Sequence, residues 1–188
     1  ARYRITQGAA GMKGKVPILM LLAVLAAGGL PAEETAATEA WRQTLRYGID
    51  SEILEVIKKL EAIEDHSLDA ELLELVSAAA DPSVLRAVLD LFARQKQTAA
   101  EAKVVRLLSE GSLTDPRMLV PMIEYLSAIG SHGAEAVLLG FTEAEDERLA
   151  ASAVQALGAV GGRAAGEKLL AQLQDPSYPE GLKPQLIL

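Results

Sequence analysis

The sequence predicts an all-α fold in which antiparallel helix pairs stack into an α-solenoid. Three observations carry that expectation. Acid-headed segments with apolar residues at i, i+4, i+7 and i+8 recur at 81, 115 and 146, with partial copies starting near 50 and 179. These starts lie 31 to 34 residues apart, the signature of stacked repeats. A second apolar marker recurs between them with the same period, and no segment alternates with period two for long enough to make a strand. With 188 residues, half of them apolar and only 4% aromatic, the chain has ample surface for a core built mostly from Ala and Leu.

The elements follow in order. Residues 1–11 precede Met12-Lys13 and are expected to be an over-extended reading frame or a cloning remnant. Residues 12–32 have the three parts of a secretory signal peptide. Lys13 and Lys15 supply the basic start, Val16 to Ala27 form an uncharged apolar run of 12 residues, and Ala27-Gly28-Gly29 or Leu30-Pro31-Ala32 supplies a small-residue exit. A membrane span needs about 20 apolar residues, so the run is too short for one. Arg2, Arg4, Lys13 and Lys15 are the only charges before Glu33. Removing them from the total leaves 14 Lys+Arg against 26 Asp+Glu, so residues 33–188 carry a charge of −12.

Residues 33–49 are rich in Ala and Glu, with Trp41 and Leu45 four apart, and are expected to form a leading helix that caps the array. In water, Trp41 would leave a large apolar ring uncovered. The array itself is expected over 50–188. Asp50 leads to Ile53, Ile57 and Leu60. Asp81-Pro82 leads to Val84, Val88 and Phe92; Asp115-Pro116 leads to Met118, Met122 and Leu126. Asp146-Glu147 leads to Leu149, Ala153 and Leu157, and a last start near Pro179 leads to Leu182 and Leu186. Each acid can accept from free N–H groups of a first helical turn, and Pro at the first helical position loses no bond. The second helices are marked by Leu72-Leu73, Val104-Val105, Val137-Leu138 and Leu169-Leu170, each followed three residues later by another apolar side chain. Gly111-Ser112, Gly130-Ser131 and Gly158 to Gly162 mark turns. The last copy has no second helix, so the array is expected to be a truncated piece of a longer one.

The copy Asp-Glu-Arg-Leu-Ala-Ala-Ser-Ala-Val-Gln-Ala-Leu-Gly at 146–158 resembles a HEAT repeat. Its continuation through Ala164, Ala165, Leu169, Leu170, Leu173 and Asp175-Pro176 is similar to the short type known from phycocyanobilin lyases. The likeness covers about residues 50–188 and implies a right-handed stack whose second helices line a concave contact face. Tetratricopeptide arrays share the period, but their Trp, Gly, Tyr and Pro marker pattern is missing. HEAT-like units define a shape and not an activity.

Composition excludes several chemistries. Without cysteine there is no disulfide scaffold, zinc ribbon or thiol nucleophile. The acidic balance argues against a nucleic-acid partner, since phosphate backbones need a basic face. The iron hydroxylases of HEAT-like fold carry His-Glu pairs, whereas His66-Ser67 and His132-Gly133 carry none, so both histidines are expected in solvated turns. The acidic run Glu143, Glu145, Asp146 and Glu147 stands at a helix start, where negative charge is favoured by the dipole. No metal and no cofactor is expected, and no catalytic residue. Counting from each apolar pair gives solvent-facing positions on the second helices: Glu71, Glu74, Lys103, Arg106, Glu135, Glu167 and Lys168. The expected function is a non-catalytic scaffold, exported to the periplasm or cell envelope, that offers this concave face to a protein partner. It would touch a membrane only through its leader before cleavage. The competing expectations are an enzyme or enzyme subunit resembling the bilin lyases, or the HEAT-like portion of a larger exported protein.

Overall fold

The protein is all-helical: in a computed structural model, no strand occurs among the described residues, which are 30–63, 65–78, 81–176, 178, 180–181 and 183–184. The expected leader and the segment before it lie outside these residues, apart from the start of the first helix. The chain divides into two compact units, Ala1–Glu39 and Ala40–Leu188. The described part of the first is helical from Leu30, with Ala36, Ala37 and Glu39 exposed.

Helix α1 runs over Leu30–Tyr47, α2 over Asp50–Ile63 and α3 over Asp69–Ala78. Helix α4 covers Pro82–Arg94, α5 Glu101–Glu110 and α6 Pro116–Ile129. A 3-10 turn at His132–Ala134 leads into α7, Glu135–Phe141; α8 is Glu147–Val160 and α9 Arg163–Gln174. The helices start where local chemistry places them. Asp81, Asp115 and Asp146 all have extended backbones and accept from first-turn amides: Ser83 and Val84, Arg117, and Leu149. Pro82 and Pro116 follow as the first helical residues, where a missing N–H costs nothing. Helix α6 ends at Gly130, whose φ of 74° is left-handed and suits a residue without Cβ. At the end of α8 a Cβ on Gly161 would stand 2.5 Å from the Leu157 carbonyl oxygen. Gly158, expected in that turn, instead lies inside α8.

Within the second unit, α2, α4, α6 and α8 pack in series, each against the next. The seam between them is apolar. Ile57 and Leu60 of α2, Val88 and Phe92 of α4, Met122 and Leu126 of α6, and Ala153 and Leu157 of α8 are all buried in one cluster. Helices α3, α5 and α7 each lie against the helix that follows them, α4, α6 and α8. A helix with a single apolar stripe must bury it against a neighbour, and here the helices supply that cover to one another.

Polar bonds tie the successive turns together. Gln97 Nε2 lies 2.7 Å from His66 Nδ1, and the buried Tyr125 hydroxyl donates to the Gln97 carbonyl at 2.8 Å. Burial pushes the Tyr125 phenol up to about 12. Lys96 donates to the Ala128 carbonyl at 2.6 Å, Ser131 to Glu101 at 2.6 Å, and His132 Nδ1 to the Val160 carbonyl at 2.8 Å. The two histidines therefore serve as ties between turns.

After α9, Asp175 has the extended backbone of the three capping aspartates, with φ −75° and ψ 119°. Tyr178, three residues on, is buried against Ala150 and donates to the Thr142 carbonyl. Val84, Met118 and Leu149 are likewise buried, three residues after their own acids. The expected start near Pro179, with Leu182 and Leu186, lies outside the described residues.

The capping carboxylates have a pH consequence. Backbone N–H groups of Ser83 and Val84 hold Asp81 below the usual carboxylate range, and the Arg117 side chain does the same for Asp115. Folding favours their ionised forms. That stability is complete above the unfolded value of about 4 and is lost as pH falls through the lower folded-state values. Asp81→Asn with Asp115→Asn keeps an accepting oxygen at neutral pH and removes the titration. Thermal melts from about pH 5 to about pH 2 should show a shallower acid decline for the double variant. An equally steep decline would locate the acid sensitivity elsewhere.

Candidate functional site

The seven positions expected on a solvent-facing second-helix surface divide into two sets. At three of the four apolar pairs the residue directly before the pair does not face solvent alone; it reaches back to the helix two before its own. Glu71 is only 7% exposed and accepts from Arg42 Nε and Arg46 Nη2 of α1, both at 2.9 Å. Lys103 of α5 donates to the Leu73 carbonyl of α3 at 2.9 Å. Lys168 of α9 donates to the Leu139 carbonyl of α7 and pairs with Glu143 at 3.1 Å. Glu135 is half-buried and accepts from the Ala165 N–H at 2.9 Å, which makes it the cap of α9. The expectation of a free contact role for Glu71 is therefore corrected: it is an internal clamp. Lys103, Glu135 and Lys168 are half-buried and engaged within the chain.

Glu74, Arg106 and Glu167 remain exposed. Arg106 pairs with Glu110 and Glu167 with Arg163, each one helical turn away, and such exposed pairs are weak. Glu74 lines a groove of about 450 Å³ beside Arg46, Leu75 and Tyr47, whose ring is 80% exposed. The structure does not gather the seven side chains into one patch.

The acidic run is also occupied. Asp146 caps α8, and Glu143 is held below the usual carboxylate range by Lys168 and then by Gln172. Among the described residues no group of three His, Asp or Glu side chains is placed to hold a metal ion. No helix there is long and apolar enough to cross a membrane.

A larger groove, of about 610 Å³, crosses the first turns of α4, α6 and α8. Helix α4 lines it with Pro82, Ser83, Arg86, Ala87 and Asp90. Helix α6 adds Pro116, Arg117 and Val120, and the α8 end contributes Asp146 and Arg148. The positions are periodic. Pro82 and Pro116 stand one residue after their capping acids, Arg117 and Arg148 two residues after, and Arg86 and Val120 five residues after. Arg86 is bridged to Glu124 at 3.1 Å, and Arg117 to Asp115 at 2.7 Å. Pro121 has no N–H, so the Arg117 carbonyl lacks its usual helical donor. The arrangement offers an apolar floor and a guanidinium rim. The groove was missed because each residue reads alone as an ordinary helix-start side chain. Superposing the copies by their capping acids is the signal that finds it.

Comparison with protein-family models, with curated proteins and with solved structures returned no match.

The Glu71 clamp makes a direct prediction. Glu71→Ala leaves two guanidiniums beside a buried gap and should cost about 1–3 kcal/mol in urea melts. It should also expose Arg42 and Arg46 to trypsin. Glu74→Ala, three residues along the same helix, should stay within about 0.5 kcal/mol of the parent. Equal stabilities for the two variants would show that α1 is not fastened through Glu71.

Proposed function

We propose that the chain is an exported, non-catalytic scaffold, a right-handed HEAT-like α-solenoid of antiparallel helix pairs that binds another protein. The observation that carries this reading is the series of cross-links spaced about thirty residues apart. Tyr125 to Gln97, Ser131 to Glu101, Lys168 to Leu139 and Gln172 to Thr142 each join a helix or turn to one about thirty residues earlier. Helices fixed to one another in this way present side chains from several copies at constant spacing. A partner then loses freedom against a surface that is already ordered, which favours binding. Export rests on the basic, apolar and small-residue pattern of residues 12–32, and the HEAT-like identity rests on the residues of 146–176.

The contact face of the second helices narrows to Glu74, Arg106 and Glu167, because the other four expected residues are engaged within the chain. Reversing these three charges together should leave the fold intact, since exposed pairs contribute at most about 1 kcal/mol each. Affinity capture from cell-envelope extract should then lose its partner about tenfold relative to the parent chain, as expected for like charges placed against a complementary surface. Unchanged capture would remove the second-helix face as the interface. A cytosolic, uncleaved product on fractionation would overturn export.

A further inference from the structure

We propose that the groove across α4, α6 and α8 seats an extended peptide segment of a protein partner. The segment carries a carboxylate at the α8 end, a cation at the α4 end and aliphatic side chains between them. This rests on the scaffold reading and adds to the second-helix face a separate surface on the first helices, with the chemistry of what it holds.

Charge in the groove decides the partner. Most of it is paired within the chain, at exposed positions. Arg86 is bridged to Glu124, Arg117 to Asp115, and the Asp146 carboxylate accepts from the Leu149 N–H. Two lining charges have no ion-pair partner among the described residues: Asp90 on the third turn of α4 and Arg148 on the first turn of α8. They have opposite sign and stand on the two outer helices, with α6 between them. Between them the floor is apolar, made by Ala87, Val120 and the two proline rings. A uniformly acidic or basic ligand would meet one of these charges with its own sign. A ligand of mixed charge satisfies both.

The span selects an extended chain. Packed helices lie ~8–10 Å apart, so α4 and α8 are separated by roughly 18 Å. Asp90 lies a further ~12 Å along α4 from its first residue. The diagonal of roughly 20 Å matches about six residues of extended peptide.

The test uses the full chain and fluorescein-labelled, end-blocked peptides read by fluorescence anisotropy. One peptide has Glu and Lys at its two ends with Leu between; two controls have Glu at both ends or Lys at both ends. The mixed peptide should bind the parent chain most tightly. Arg148→Glu should weaken it about tenfold and strengthen the double-Lys peptide by a similar factor, as reversed rim charges do at complementary interfaces. Asp90→Lys should weaken the mixed peptide and favour the double-Glu peptide. Val120→Asp should abolish binding of all three while circular dichroism shows the helices retained. If Val120→Asp unfolds, the Arg148 and Asp90 swaps still decide the outcome. No anisotropy change up to about 1 mM peptide, the weak end of specific recognition, overturns the proposal. So does binding that ignores both charge swaps. If partner capture from envelope extract succeeds while the peptides fail, the groove assignment falls and the scaffold reading stands. If both fail, the scaffold reading falls with it.

Discussion

The apolar seam through α2, α4, α6 and α8 is the constraint on which the rest of the second unit depends. No helix in it can bury its own stripe. Phe92 and Val88 of α4 are buried where α2, α3 and α6 pack on that helix, and Met122 and Leu126 of α6 where α4, α5 and α8 do. Magnitudes place the seam above the polar ties. Truncating a buried Phe belongs to the ~3–5 kcal/mol class of core changes. A single hydrogen bond contributes about 1 kcal/mol net. The ties at His66, Gln97, Ser131 and His132 therefore fix the register of helices that the seam already holds together.

The seam thins along the chain. Helix α4 brings Leu and Phe to it and α6 brings Met, Ile and Tyr, whereas α8 brings Ala153 and Ala156 with Leu157. Small side chains let α8 approach its neighbours closely, and α7 packs tightly on it despite having only seven residues. The next helix, α9, is different. Its buried side chains are Ala165 and Gln172, and Leu170 is 56% exposed. Gln172 and Lys168 hold α9 to Thr142, Glu143 and Leu139 through hydrogen bonds. The apolar pair expected to anchor that helix does less than the polar side chains around it.

What the sequence disclosed was whatever depends on neighbours within a few residues. The capping roles of Asp81, Asp115 and Asp146 were legible because their acceptors and donors lie within one turn. The first-helix core was legible because burial follows a 3.6-residue period. Glu71 was not, since its partners Arg42 and Arg46 lie 25 to 29 residues away in a helix outside the repeat pattern. Val137-Leu138 also misled: the first member of the pair is buried in α3 and α5, but in α7 it is Leu138, after the 3-10 turn at His132–Ala134 rotates the helix. The groove was hidden for a third reason. It exists only where equivalent positions of three separate helices come side by side.

The spacing of the cross-links has a consequence for how the chain comes together. From Arg46–Glu71 at 25 residues to Arg86–Glu124 at 38, every bond that joins one helix to its counterpart closes a loop of similar size. Loop-closure entropy rises by only about 0.6 kcal/mol per doubling of length, so all these closures carry nearly the same penalty. None requires distant ends of the chain to meet. Assembly can begin at whichever junction forms first and then propagate outward one helix at a time. Such local topology belongs to the fast-folding class. A series of helices joined this way can lengthen by further helices without a rising kinetic barrier to each addition.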